Sequence, residues 1–172
     1  VAPTFAQAYY AAGLLGFHLS TMSGNPGCWS VTKLRERCDR LPVLLGLGLY
    51  TMVVLRCAWI SDDAYITFRT VDNLVSGHGL TWNIDERVQA FTHPLWALVL
   101  AAAYALTREI HLTAIAISAI LAVGTALLYA ARLTTTSLAA TVGIVVLGLS
   151  KAYVDYSTSG LENPLTHLLL AL

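Results

Sequence analysis

Two adjacent carboxylates, Asp62 and Asp63, are the side chains of this sequence best placed for chemistry. They follow Ser61 directly after a long apolar run, where a chain would leave a membrane. Adjacent acids at such a position repel each other and require a nearby cation or a metal ion. Capping of a helix start would also explain them, with Arg69 as the balancing charge, because acids suit the positive end of the helix dipole.

Basic side chains lie farther along the same polar stretch. Arg87 and His93 precede the point at which the sequence becomes apolar again, at Pro94. Side chains of this type at a membrane boundary either hold a phosphate group or contact lipid headgroups, and the sequence favours neither. Trp96 is interpreted as an aromatic anchor at the same boundary.

The acids stand at the start of a predicted helix, residues 62–76. Ser61 is a good N-cap residue and Gly77 a good stop signal. At 100° per residue, one arc of this helix is apolar and the opposite arc is polar, which suits a helix lying in the membrane interface. The apolar arc consists of Ala64, Thr67, Phe68, Val71, Leu74 and Val75, and the polar arc of Asp62, Arg69, Asn73 and Ser76. Asp63 lies about 100° from Asp62, so the two carboxylates need not face the same atom.

The amino-acid composition indicates that the chain lies in a membrane. Of 172 residues, 56% are hydrophobic and 12% are charged, whereas soluble domains are about one quarter charged. We therefore predict an all-α, polytopic transmembrane protein in the cell membrane.

A formal net charge of zero gives no indication of a nucleic-acid partner. The three cysteines form no CxxC pair, and Cys57 is predicted to be a buried small side chain.

Apolar runs and polar breaks divide the chain into segments. The run 41–60 is long enough to cross a bilayer, and basic residues before it indicate that its start is cytoplasmic. The predicted segments are a partly cytoplasmic amino-terminal extension at 1–40 with a marginal span or interfacial helix, a first transmembrane helix at 41–60, an extracytoplasmic loop at 61–93, transmembrane helices at 94–150, a polar loop at 151–163 and the start of another transmembrane helix at 164–172. Since the chain starts at Val1 and stops inside an apolar run, we interpret it as the amino-terminal part of a longer protein.

The side of the membrane on which Glu162 lies is left open by the sequence. Three crossings after residue 93 would place Glu162 on the cytoplasmic side. The run 94–106 has only 13 residues, about 20 Å as a helix, and a re-entrant helix there would change the count.

An ordered set of short motifs resembles the first extracytoplasmic loop of GT-C glycosyltransferases. Within that superfamily it is most similar to the arabinofuranosyltransferase-like and protein-mannosyltransferase-like branches. The motifs are Asp62-Asp63-Ala64-Tyr65-Ile66, Phe68-Arg69, Gly77-His78-Gly79-Leu80, Trp82-Asn83, Glu86-Arg87-Val88-Gln89-Ala90 and Thr92-His93-Pro94-Leu95-Trp96. A second element of that branch is similar to Thr158-Ser159-Gly160-Leu161-Glu162-Asn163-Pro164-Leu165. The family expects it on the extracytoplasmic side.

The resemblance implies a polyprenyl-phosphate sugar donor and a hydroxyl of a glycan, lipid or protein as acceptor, with inversion at the sugar. Asp62 or Asp63 would be the general base, and the other would orient the sugar or help bind Mg²⁺, Mn²⁺ or Ca²⁺. The donor phosphate and substrate would be bound by Arg69, Glu86, Arg87, His93 and Glu162, with Glu162 as a second acid in the cavity.

Two other functions fit part of the sequence. In a transporter or flippase, acids beside membrane spans would be ion or proton sites. The charged residues of this chain gather in a loop between spans instead of at mid-membrane, which favours the enzyme. The third interpretation is a non-catalytic membrane assembly protein whose loop is only interfacial.

Overall fold

A computed structural model describes residues 29–86, 88 and 91–172. The chain divides into two compact units, Val1–Arg37 and Cys38–Leu172. Most of the first unit lies outside the described residues, and so does the marginal span or interfacial helix predicted within 1–40. The described part is all-helical, as the sequence predicts.

The helices follow the apolar runs, with different boundaries. They are α1 (Trp29–Arg56), α2 (Asp62–Val75), α3 (Pro94–Thr107), α4 (Ile110–Leu128), which continues as a π-helical turn at Tyr129–Leu133, α5 (Ser137–Leu149), α6 (Lys151–Tyr156) and α7 (Asn163–Ala171).

Helix α1 differs from the predicted span 41–60 at both ends. It begins at Trp29 and runs through Pro42 to Arg56. The residues before 41 include several good helix formers, so the helix begins before the basic residues that precede the apolar run. Cys57 lies in the turn that follows α1 and is exposed, so the prediction that it is buried is wrong.

The segment 151–163, predicted as a polar loop, contains a short helix. Ser150 caps α6 by accepting a hydrogen bond from the Tyr153 N–H. The remainder of the segment, 157–162, connects α6 to α7 without regular helix. The polar loop is therefore shorter than predicted and limited to this connection.

Among the described residues, Ile110–Leu133 is the helix whose length and composition suit a membrane crossing. It has 24 residues, about 36 Å at 1.5 Å per residue, and its apolar stretch has a mean hydropathy of 2.1. Helices α3 and α5 are apolar but shorter, with 14 and 13 residues. The multi-pass arrangement therefore stays a prediction.

The apolar arc predicted for 62–76 faces protein. Ala64, Phe68 and Val71 of α2 are buried against α3, in a cluster that also includes Trp96, Ala97, Leu100, Ala101 and Ala114. Thr70, which is outside the predicted arc, is also buried and donates to the carbonyl of Ile66. The apolar arc, which suits a helix lying in the membrane interface, is thus covered by α3 and the start of α4.

The connection between α6 and α7 is buried between α2 and α3. Ser157, Thr158 and Ser159 are at most 1% exposed. The carbonyl of Ser159 accepts a hydrogen bond from the Ser61 N–H at 2.9 Å, and that of Gly160 accepts one from Trp96 Nε1 at 2.9 Å. Trp96 is therefore a buried structural residue of the bundle, and its interpretation as a membrane anchor is wrong.

Candidate active site

A cavity of about 590 Å³ opens where α2, the start of α3 and the start of α7 meet. Three segments far apart in sequence line it: Asp63, Ile66 and Thr67; Phe91, Thr92 and His93; and Leu161 and Glu162. The burial of residues 157–160 brings the third segment to the other two, because that connection holds Glu162 beside the start of α3. Both motif segments thus lie at one site.

Asp63 lines this cavity and Asp62 does not. Both carboxylates are exposed, and Ser61 precedes them as the N-cap of α2 with extended backbone. The rotation of about 100° between neighbouring helical residues explains the difference, as the sequence predicts. Neither acid forms an ion pair with Arg69, so the balancing charge suggested for that arginine is not present in the described structure.

His93 is held on both sides of its ring. Its Nε2 lies 2.8 Å from the hydroxyl of Thr67, and its Nδ1 lies 3.3 Å from Glu162 Oε2. Thr92 Oγ1 is a more distant neighbour of Nδ1, at 3.4 Å. A ring that accepts at Nε2 from the Thr67 hydroxyl carries its proton on Nδ1, the nitrogen that lies beside the Glu162 carboxylate.

Arg69 and Glu86 lie in a different network, which fixes the loop after α2. Arg69 Nε donates to the Trp82 carbonyl at 3.0 Å, its Nη2 donates to Asn83 Oδ1 at 3.2 Å, and its guanidinium stands 4.6 Å from the Trp82 ring centroid. Glu86 accepts from Asn83 Nδ2 at 3.3 Å. Asn73 adds hydrogen bonds to the carbonyls of Thr81 and Trp82. Neither Arg69 nor Glu86 lines the cavity.

Replacing Arg69 with Lys is expected to loosen this loop. Lysine keeps the charge but loses the planar donor pair and the stacking on Trp82, so the loop 77–86 should be cleaved several-fold faster in limited proteolysis. The free energy of unfolding should fall by about 1 kcal/mol. Arg132→Lys, at an exposed arginine of the π-helical turn, is the matched control. Equal cleavage rates in the two variants would contradict this role for Arg69.

The roles predicted for Arg87 and for a metal ion stay predictions. Arg87 lies outside the described residues. Within the described part of the chain, no group of three or more His, Cys, Asp or Glu side chains is placed to hold a metal ion. A divalent cation at Asp62 and Asp63 therefore stays a prediction.

Thr67 is the residue of this site that sequence reasoning missed. The helical pattern assigns it to the apolar arc of α2, and it is 1% exposed. A hydroxyl on an otherwise apolar arc was the available signal, because a buried hydroxyl needs a hydrogen-bond partner. Its partner, His93, is 26 residues away and not evident from spacing.

Comparison with known proteins gives two relatives that share one activity. The chain is 37% identical over 114 residues to a terminal β-(1→2)-arabinofuranosyltransferase of Corynebacterium glutamicum, covering 60% of this chain and 16% of that protein. It is 32% identical over 125 residues to a terminal β-(1→2)-arabinofuranosyltransferase of Mycobacterium tuberculosis, covering 66% of this chain and 20% of that protein. The chain thus spans a fifth or less of the length of these relatives. No protein-family model and no solved structure matches it.

These relatives bear on the two branches that the motifs resemble. Both are arabinofuranosyltransferases, which supports the arabinofuranosyltransferase-like branch. Neither is a mannosyltransferase, so the comparison adds no support to the other branch.

Proposed function

We propose that the full-length protein is an integral membrane glycosyltransferase that transfers an arabinofuranosyl residue from a polyprenyl-phosphate donor to a glycan hydroxyl. The observation that carries this proposal is the cavity in which Asp63, His93 and Glu162 meet. These residues come from the two motif segments that resemble GT-C enzymes, and the chain is similar to two arabinofuranosyltransferases. The transporter alternative places its ionisable residues at mid-membrane and gives no reason for this convergence.

In the proposed reaction, Asp63 is the general base. An acceptor hydroxyl in the cavity attacks the anomeric carbon of the donor, its proton passes to Asp63, and the bond from that carbon to the phosphate oxygen breaks. The phosphate leaves with the bonding electron pair, and the sugar inverts. Glu162, which also lines the cavity, is proposed to orient a sugar hydroxyl. Asp63 is preferred to Asp62 because it alone of the two lines the cavity.

The charge on the departing phosphate requires a cation or hydrogen-bond donors. Arg69 is engaged with Trp82 and Asn83, away from the cavity. Arg87 is the arginine of the motif set that we propose for the phosphate.

The proposed membrane topology follows from the shared cavity. If α3, α4 and α5 lie in the bilayer, the chain between His93 and Glu162 must cross an even number of times, because both residues line one cavity. Of the helices between these residues, three are apolar, α3, α4 and α5, so at least one of these three is not a full crossing. Helices α3 and α5, each about 20 Å long, are the candidates. We propose that the cavity opens to the extracytoplasmic side.

The experiment that tests the function compares donors. The full-length protein, purified in detergent with a glycan acceptor, is expected to transfer labelled arabinofuranose from polyprenyl-phosphate arabinofuranose, because only a lipid-borne donor delivers its phosphate at the membrane boundary. Polyprenyl-phosphate mannose is the control for the sugar, and a sugar nucleotide is the control for the carrier.

Each control separates one part of the proposal. Equal transfer of mannose would contradict the assignment of the sugar, and transfer from the nucleotide would contradict the lipid carrier. Movement of labelled lipid between the leaflets of a vesicle, without transfer, would favour the flippase.

A further inference from the structure

The hydroxyl of Thr67 contacts a distant segment, whereas several other threonine hydroxyls of the described residues bond only their own helix. Thr70, its buried neighbour in α2, donates to the carbonyl four residues earlier at 3.1 Å. The same local bond is made by Thr51, Thr125, Thr134 and Thr141. Thr67 is paired instead with His93 Nε2 at 2.8 Å. Its hydroxyl therefore joins two segments, whereas these others serve their own helix.

The other ring nitrogen of His93 lies beside Glu162. Nδ1 is 3.3 Å from the carboxylate, an ion-pair distance, and Nε2 is 2.8 Å from the Thr67 hydroxyl, so each ring nitrogen already has a polar neighbour. A donor phosphate at Nδ1 would be repelled by the Glu162 carboxylate, and one at Nε2 would have to displace Thr67. The role in phosphate binding that the family resemblance implies for His93 conflicts with this geometry.

We propose that His93 is a positioning residue, clamped between Thr67 and Glu162, and that Thr67 is a second positioning residue that fixes the ring. This inference rests on the proposed function. Asp63 lies four residues before Thr67, and therefore on the same face of α2. The clamp thus sets the position of Asp63 relative to Glu162 across the cavity.

The two ends of the clamp differ in how far they are buried. Thr67 is 1% exposed, whereas the side chain of His93 is 16% and that of Glu162 is 40% exposed. The buried end anchors the ring to α2, and the open end faces the substrate space. Hydrogen bonds from the Ser61 N–H and from Trp96 Nε1 to backbone carbonyls of the α6–α7 connection already join the same segments. The clamp adds the alignment of side chains that those bonds cannot provide.

The test is a pair of substitutions at neighbouring buried threonines of the full-length protein. Thr67→Val keeps the side-chain shape but removes the hydroxyl, so kcat is expected to fall about 10- to 100-fold through misalignment of Asp63. The KM for polyprenyl-phosphate arabinofuranose should stay within about threefold, because the ring does not hold the phosphate. Thr67→Ser should restore kcat to within about threefold of wild type. Thr70→Val, which removes a hydroxyl that bonds only its own helix, should leave kcat nearly unchanged.

A double variant tests whether the two residues act through each other. Thr67→Val combined with His93→Gln should be no slower than the slower single variant, since both changes break one clamp. Independent, multiplying losses would overturn the proposal. A raised donor KM with unchanged kcat in Thr67→Val would overturn it too, because that result indicates direct contact of the ring with phosphate.

Two further results separate this inference from the proposed function. If the wild-type protein transfers no arabinofuranose, the proposed function fails, and the clamp fails with it. If Asp63→Asn transfers sugar at the wild-type rate, the assignment of Asp63 as the base fails, and so does the clamp, whereas the transferase function stands. If Asp63→Asn is inactive while Thr67→Val turns over like wild type, only the clamp is wrong.

Discussion

Asp63→Asn is expected to lower kcat of the full-length protein by about 10²- to 10⁴-fold, the usual contribution of a general base. Asparagine has nearly the same shape but cannot take the proton of the acceptor hydroxyl. The measurement is transfer of labelled arabinofuranose from polyprenyl-phosphate arabinofuranose to a glycan acceptor. The donor KM should change little, because the lost interaction forms in the transition state.

Asp62→Asn is the matched control for this prediction. The residue is adjacent, of the same type and also exposed, but it does not line the cavity. We expect its kcat to fall less than about tenfold, with any loss coming from the weaker charge at the start of α2. A larger loss in Asp62→Asn than in Asp63→Asn would show that the base has been assigned to the wrong carboxylate.

Gly160→Ala is expected to be the most destabilising single substitution in the site. Gly160 has a φ of +82°, and a Cβ there would lie 2.8 Å from Ala64 Cβ and 3.2 Å from Phe68 Cζ. Backbone strain and overpacking each cost about 1–3 kcal/mol, so the free energy of unfolding should fall by about 2–6 kcal/mol. Ala64 cannot move without shifting α2, and the hydrogen bond from Trp96 to the Gly160 carbonyl should weaken as well. Thermal unfolding of the purified full-length protein in detergent measures the loss.

Gly79→Ala separates strain from packing. Gly79 has nearly the same φ, +84°, but a Cβ added there would meet no atom within 4 Å. Only the conformational cost applies, so we expect a loss of about 1–2 kcal/mol. Equal losses in the two variants would show that close packing against α2 is not what Gly160 provides.

Several elements could be predicted from sequence because their causes are local. Ser61, two acids and Gly77 delimit a helix at 62–76, and the structure has α2 at Asp62–Val75. Gly77 takes the positive φ that a helix stop requires. Pro94 begins α3. The different directions of Asp62 and Asp63 likewise follow from helix geometry alone. Signals of this kind lie within a few residues of what they specify.

The composition of the site was decided by contacts across long stretches of chain. The sequence could not place Glu162 beside Asp63 and His93, because this depends on the burial of residues 157–160 between α2 and α3. The family resemblance implied substrate roles for Arg69 and Glu86, whereas in the structure both hold the loop after α2. The hydrogen-bond partners of a polar side chain depend on which distant segments pack beside it. Residue type, spacing and the family resemblance therefore indicated the candidate chemistry, and only the tertiary structure decided which side chains share the cavity.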